Sequence, residues 1–493
     1  MGQVTLDTML NERTLNLPME EVMDITFSTW PWQHWAKERP SAVALSFGDR
    51  SCGEQQFSWA ELAERVEEYA QGLVEQGLKR DQLVAVVAPN SVSVIWLLLA
   101  VLRTGARFVG LNPRLSQQEL SSQLAQLECD FVWHPAKSNL EQESTLKLPP
   151  RLQLLPPQTP RMVPVTWQAT RAATLTMTSG STGQPKAVVH SAQSHLASAA
   201  GLLSWMRFDA DDSWLLSLPL FHISGMAIVW RWLYRGAQLA VEPSQDLQQA
   251  LSKVTHASLV PTQLQRLLEG SDVSTLLLKR VLLGGAVIPV SLTERAKSAG
   301  IECWCGYGMT EMASTVTVKL ADSSAGVGAV LPNRELMLKD GEVWVKGKTL
   351  GLGYYRNRTI FPFSEQEWFA TKDLASWHDE ELFILGRKDN MFISGGENIQ
   401  PEEIEKVLLA HSKVNQAFVL PVEDKEYGQR PVAIVATSSE LDTSLSDELA
   451  GYMQQQMMGL CRPVKYLALP AHLSTGGIKI SRKQLAEWLA AQL

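Results

Sequence analysis

The 493-residue chain is poor in cysteine, has no surplus of basic charge and contains no long apolar run, and each shortage excludes a class of protein. Five cysteines, Cys52, Cys129, Cys303, Cys305 and Cys461, form an odd and scattered set, and the polar start Met1–Arg13 has no apolar stretch of the kind a secretory signal needs. They read as reduced thiols of a cytoplasmic protein. Cys303 and Cys305 make a Cys-Trp-Cys pair, but no second pair stands at metal-ligand spacing, so both are expected as buried strand thiols. The longest apolar run, Val92 to Leu102, is about half of what crosses a bilayer and is followed by Arg103, which predicts a core helix and no membrane insertion. Lys and Arg number 44 against 52 Asp and Glu, a net charge of -8 with a pI near 5.7, so no basic face is available for a nucleic-acid backbone. A Walker A loop is missing too: Gln184 and Pro185 separate Gly183 from Lys186, where that loop needs Gly-Lys-Ser/Thr in succession.

What is present is the composition of an ordinary globular protein, 45% hydrophobic and 19% charged, in a chain too long for one core. Residues 1 to about 24 have little periodicity. From Phe27, an aromatic-rich helix, a helix within Phe57–Gln76 stopped by Gly77, and a buried strand in QLVAVVAPN begin an alternation that continues to about residue 320. That alternation predicts an α/β fold with doubly wound, parallel sheets covered on both faces by helices. A strand-rich subdomain follows over Glu335–Leu385, completing a large N-terminal domain of residues 1–386. Near Gly386 the pattern changes to a charged turn, a glycine pair, a helix opened by Pro401, Glu402 and Glu403, and the strand AFVLPV. Residues 387–493 are therefore expected to be a small α+β domain on a short linker that suits a hinge.

Four stretches carry chemistry. TMTSGSTGQPKAVVH, Thr176 to His190, supplies hydroxyls from Thr178, Ser179, Ser181 and Thr182, close backbone approach at Gly180 and Gly183, and a positive charge at Lys186, all suited to phosphate. CGYGMTEMAST, Cys305 to Thr315, sets Gly306 and Gly308 around Tyr307, whose flat face suits a purine; Thr310 offers a hydroxyl to phosphate and Glu311 a hard oxygen to Mg2+. EWFATKDLA and LGRKDN add Asp373, for ribose hydroxyls, and Arg387, for ribose or phosphate.

In this order the stretches resemble the acyl-adenylate-forming superfamily: acyl- and aryl-CoA synthetases, peptide-synthetase adenylation domains and firefly luciferase. The resemblance runs from about Phe27 to Leu485 and implies ATP, Mg2+ and coenzyme A as ligands. It also implies that Gly284, Gly285 and Ala286 contact adenine and that Lys479, in GGIKISR, is the catalytic lysine alongside Thr310 and Glu311. Asp389 falls at the family's hinge, and Gly396 where the pantetheine arm would pass, so the small domain is expected to act as a lid. Two positions depart from the pattern: Lys372 replaces the glycine of Thr-Gly-Asp, and Ile478 replaces the glycine before the catalytic lysine. No carrier-protein segment follows the lid before Leu493, which favours a free-standing CoA ligase.

The acid has to be read from other residues. MAIVWRWLYRGA is an almost wholly apolar helix interrupted by Arg231, with Arg235 near its end. A buried guanidinium needs an anion, either an internal carboxylate or a second carboxylate on the substrate. Together with THASLVPTQLQRLL, LLGGAVIPVSL, SGGENIQPEEIE and GGIKISR, the pattern resembles the o-succinylbenzoate:CoA ligases of menaquinone biosynthesis, whose substrate is an aromatic dicarboxylic acid. On that resemblance Arg231 anchors the ring carboxylate, with His222, Ser258 and Thr315 as pocket wall. The rival readings are an aryl or medium-chain acyl-CoA synthetase and a nonenzymatic acyl-nucleotide sensor; a homo-oligomer is left open.

Overall fold

The computed structural model describes residues 25–49, 53–136, 148–159, 163, 165–178, 185–242, 247–270, 273, 276–286, 288–363, 368–474 and 480–492. Ser179, Gly180, Ser181, Thr182, Gly183 and Lys479, expected at the phosphate and catalytic positions, lie outside the described residues.

Two large sheets form the body. One has seven strands in the order Thr359–Phe361, Gly353–Arg356, Lys186–Ser191, Ala172–Thr178, Arg107–Leu111, Leu83–Val87, Phe131–Trp133. The other has nine, running from Ala329–Val330 and Thr317–Leu320 through Glu302–Cys305, Arg280–Leu283, His256–Leu259, Ser213–Leu215 and Gln238–Val241 to Val43–Asp49 and Gly53–Ser58. Their centres are parallel, as the alternating pattern predicts, but the nine-stranded sheet is antiparallel at both edges and the seven-stranded sheet at one. The hairpin Ala172–Thr178/Lys186–Ser191 shows why: its short connection can return the chain only antiparallel, because a parallel return needs a crossover of a dozen residues or more.

Helices follow their sequence signals closely. Ser58 caps Trp59–Glu75 through a reciprocal capping box with Glu61, and Gly77, at φ +96°, follows its end in the left-handed conformation that glycine adopts without a Cβ clash. Val92–Arg103 is a core helix, buried from Val94 onward. The central core is rich in tryptophan: Trp32, Trp59, Trp214, Trp230 and Trp232 are fully buried, and Trp59 stacks on Trp232 with centroids 5.3 Å apart. Cys303 and Cys305 are buried in a strand, as expected, and burial pushes both thiols up to about 12, so neither is a nucleophile at neutral pH.

The strand-rich stretch is a four-stranded antiparallel sheet, Arg334–Lys339, Glu342–Gly347, Phe369–His378 and Glu381–Arg387. Beyond it, the small hairpin Phe392–Ser394/Glu397–Ile399 and the sheet Val414–Asp424, Gly428–Thr437, Tyr466–Ala468 pack with helices Pro401–Leu409 and Thr443–Gln456. These residues bury their own apolar cluster, including Ile404, Leu408, Val419, Leu449 and Met453. The result is a mixed α/β architecture with a large N-terminal and a small C-terminal domain. Among the described residues no helix is long and apolar enough to cross a membrane.

Candidate active site

The parallel strands of the nine-stranded sheet deliver one edge of the site at their carboxyl ends, the place where open α/β sheets bind ligands. Ser258 lies near the end of His256–Leu259, Gly284 follows Arg280–Leu283, and Gly306 follows Glu302–Cys305. Gly285 has φ +84°, a left-handed turn that glycine enters freely. Gly306 and Gly308 are required for closeness: a Cβ would fall 2.1 Å from the Thr317 carbonyl oxygen at the first and 2.2 Å from that of Ser314 at the second. Ala286 is exposed beside Gly285.

The other edge comes from the seven-stranded sheet. Thr178 pairs with Lys186 in register, so these two residues close the hairpin whose turn carries the hydroxyl-rich loop. Two residues that the sequence reading did not single out then tie this hairpin to the Thr310–Glu311 turn. His190 Nε2 donates to the Thr310 carbonyl at 2.8 Å, which fixes the proton on that nitrogen. Tyr354, paired with Val188 across the sheet, donates its hydroxyl to Glu311 Oε1 at 2.9 Å and lies under Lys186 Nζ, 4.9 Å from the ring centroid. Burial raises the pKa of Glu311, against its backbone and Tyr354 hydrogen bonds, and a cation at this carboxylate would lower it again. No cluster of three or more His, Cys, Asp or Glu side chains able to hold a metal occurs among the described residues. A single carboxylate supplemented by substrate phosphates is, however, a usual Mg2+ arrangement, and Glu311 fits it.

Tyr307, Asp373 and Arg387 form a chain. The Tyr307 hydroxyl donates to Asp373 Oδ2, and Arg387 Nη1 donates to Asp373 Oδ1 at 3.0 Å. Arg387 also forks onto Asp389, Nε to Oδ1 at 2.9 Å and Nη2 to Oδ2 at 3.3 Å. Burial works against the charge on Arg387, but Asp389 and Asp373 outweigh it and raise its pKa. Asp373 thus holds two side-chain partners already, and any ligand donor would have to share its remaining lone pairs. Lys372 keeps the turn expected of the glycine it replaces, at φ +67°. The turn is braced by hydrogen bonds from its N–H to Glu342 and from the Lys388 N–H to its carbonyl. Asp389 is held by the Arg387 fork and lies 3.6 Å from Lys372 Nζ. Gly396, at φ +87° in the turn of a hairpin, has open space where a Cβ would be.

Arg231 lies on the buried face of the helix Ile223–Arg235, 2% exposed. Among the described residues it has no carboxylate partner: Nη1 reaches Ser258 Oγ and Nη2 reaches Thr315 Oγ1, each at 3.4 Å, and the guanidinium lies 5.3 Å from the Trp214 ring centroid. Three of the residues placed in the acid pocket by sequence therefore converge. Burial pulls the Arg231 pKa from 12.5 to about 9, so it stays charged at pH 7. Arg235, by contrast, pairs with Asp209 at 3.1 Å. His222 occupies the N-cap of the same helix, and burial lowers it to about 4, which keeps the imidazole neutral. Sequence reasoning passed over Arg334, a second buried arginine, because it opens an amphipathic strand in which a charged residue looks like surface.

The comparisons with known proteins agree with this geometry. Residues 32–355 match the AMP-binding enzyme family and residues 403–475 match the AMP-binding enzyme C-terminal domain. The chain is 46% identical over 466 residues to a 2-succinylbenzoate–CoA ligase of Salmonella typhimurium, covering 94% of this chain and 99% of that one. Among solved structures it resembles a point variant of E. coli MenE with bound OSB-AMS, at 44% identity and TM-score 0.86, covering 95% and 100% of the two chains. It also resembles Bacillus subtilis O-succinylbenzoate coenzyme A synthetase in complex with ATP and magnesium ion, at 26% identity and TM-score 0.78, covering 90% and 96%. With the family domains spanning most of the sequence and near-full-length relatives at this identity, the chain belongs to the AMP-binding enzyme family and, within it, to the 2-succinylbenzoate–CoA ligases.

Proposed function

We propose that the protein is an AMP-forming acid–thiol ligase that joins 2-succinylbenzoate to coenzyme A in menaquinone biosynthesis. The observation that carries the choice of acid is Arg231, a buried guanidinium with no carboxylate among its described neighbours. A substrate with one carboxylate to activate and a second on its ring supplies the missing anion. An aryl or medium-chain monoacid would leave that charge unpaired, and a sensor without turnover would have no use for a metal-ready Glu311 beside the phosphate hairpin.

In the first half-reaction an oxygen of the succinyl carboxylate attacks the α-phosphorus of ATP; the P–O bond to pyrophosphate breaks and the acyl-adenylate forms. Lys186 and the hydroxyls of Thr178, Ser179, Ser181 and Thr182 hold the phosphates, while Thr310 orients the α-phosphate. Gly180 and Gly183 let the loop close on them, and Gly284, Gly285, Ala286 and Tyr307, between Gly306 and Gly308, receive adenine. Asp373 and Arg387 hold the ribose. Mg2+ on Glu311 supplies charge neutralisation for the phosphates when bound. Lys479 stabilises the charge that develops on the α-phosphate and the leaving group.

In the second half-reaction the thiol of coenzyme A attacks the acyl carbonyl, its proton passes to solvent, and AMP leaves. We assign residues 1–386 to the adenylating domain and 387–493 to a lid that turns about Asp389, exchanging Lys479 for a thiol path beside Gly396. The reaction belongs in the cytoplasm, which supplies ATP and coenzyme A.

The direct test measures pyrophosphate release and thioester formation with ATP, Mg2+, coenzyme A and either 2-succinylbenzoate or 4-oxo-4-phenylbutanoate, which lacks the ring carboxylate. Strong preference for the diacid is expected; equal use of both rejects the assignment of the acid. Lys479→Ala should abolish adenylate formation yet largely spare thioester formation from pre-made acyl-adenylate. Equal loss in both steps rejects its role.

A further inference from the structure

Arg334 begins the strand Arg334–Lys339, outside every motif that carries the chemistry, yet it is 6% exposed. Its guanidinium points into the body of the large domain and, among the described residues, meets carbonyl oxygens instead of carboxylates. Nε donates to Pro332 at 3.0 Å, Nη1 to Thr315, and Nη2 lies 3.5 Å from both the Ala197 and Ser198 oxygens. The space was made for it by the helix Ala192–Leu203, where a Cβ on Gly201 would fall 2.2 Å from Nη2. Two uncompensated buried guanidiniums therefore stand on either side of one residue: Arg231 contacts the Thr315 hydroxyl and Arg334 binds the Thr315 carbonyl.

The backbone entering Thr315 would not hold this position alone. Ala313 and Ser314 have φ +52° and +101°, a pair of left-handed conformations costly for residues with a Cβ. Ser198 Oγ donates to the Ala313 carbonyl at 2.7 Å, and Arg334 to that of Thr315, so each end of the strained pair is clamped. Two like charges in a region of low polarizability also repel, and burial together with Arg231 lowers the Arg334 pKa to about 9. An anion delivered to Arg231 relieves both guanidiniums, whereas a neutral group there relieves neither.

We infer that Arg334 is a specificity-determining residue for the acid: it positions Thr315 against Arg231 and adds a second positive charge behind it, which makes the pocket select an anionic ring substituent. The inference rests on the reading that Arg231 meets the ring carboxylate. It goes further in placing half of the selective charge on a residue that does not touch the substrate.

The test compares kcat/KM for 2-succinylbenzoate and for 4-oxo-4-phenylbutanoate, by pyrophosphate release, in the wild type and in Arg334→Gln, Arg334→Lys and Arg231→Ala. Gln retains hydrogen-bond donors without charge, and Lys retains charge. Arg334→Gln should lower the diacid-to-monoacid ratio about tenfold or more, the scale of one close charge coupling, and Arg334→Lys should restore most of it. If Arg334→Gln slows both acids alike, the residue is purely structural and the inference is overturned. Should that variant fail to fold, Gly201→Ala displaces the guanidinium without removing it; an unchanged ratio there also overturns the inference. Arg231→Ala separates the two levels: if it leaves the ratio intact, the underlying reading of the acid site fails, and if it collapses the ratio while the Arg334 variants do not, only the present inference fails.

Discussion

Arg387, partly exposed, and Arg231, deeply buried, are two arginines of one candidate site, and they are treated in opposite ways. Arg387 is bound by two carboxylates, Asp373 and Asp389, and its charge is balanced before any ligand arrives. Arg231 is more deeply buried and, among the described residues, receives two hydroxyls and an indole face but no carboxylate. A buried cation without an anion is costly, and folding tolerates it when something else depends on the charge. At the nucleotide end the protein has built a closed network that can orient a ribose. At the acid end, on the function proposed above, it leaves a charge for the substrate to complete.

The largest effect should come from breaking the open end. Arg231→Ala leaves the ring carboxylate unpaired in the pocket, a loss of about 3–5 kcal/mol in transition-state stabilisation, or roughly two to three and a half decades in kcat/KM. Lysine should rescue it only in part, because an ammonium cannot reproduce a planar fork. Steady-state kinetics with the diacid check this, and intact turnover would remove the basis of the comparison.

Acidification should weaken the fold next, through buried histidines. Burial lowers His190, His222 and His256 to about 4, below the ordinary value of 6.5. The unfolded chain therefore binds protons that the folded one refuses between these values. This stability is complete above pH 6.5 and is lost as pH falls from about 6.5 to about 4, by about 2 kcal/mol for each imidazole at pH 5. Denaturant titrations at a series of pH values measure it; His256→Gln should flatten the dependence, and a flat wild-type profile contradicts it.

The closed end should be more forgiving. Arg387→Met disturbs a partly exposed network, so we expect about a tenfold rise in the KM for ATP, with the KM for the acid changed far less. A rise confined to the acid would invert the two ends. The smallest effect is expected of Lys372→Gly, which relieves a left-handed backbone while losing the ion pair to Asp389 at 3.6 Å. Stability should rise by about 0.5–1 kcal/mol without loss of activity. A fall in thermal midpoint would show that the lysine stabilises the turn.

Much of this was legible because local chemistry needs neighbours in sequence. The hairpin of Thr178 and Lys186, the Gly306–Glu311 turn, the capped helix after Ser58 and the core helix from Val92 are each written in one contiguous stretch. The antiparallel edges of the two sheets were missed because alternation of strands and helices reports faces, not directions. Arg231 could be suspected from sequence, since an arginine amid Trp, Val and Leu has to be explained. Whether an acid met it could not be known there.

The sequence by itself determined that this chain binds a nucleotide, which family it belongs to, and that it has two domains, because glycine-rich loops, hydroxyl runs and helix caps act over a few residues. Only the tertiary structure decided that Tyr354 and His190 brace the Glu311 turn, that Asp373 is already engaged by Tyr307 and Arg387, and that Arg231 and Arg334 converge on Thr315 with no carboxylate partner among the described residues. These are meetings of residues as many as 120 positions apart in the chain. Their energetics depend on burial and on which partners are absent, and neither is a property of any one segment.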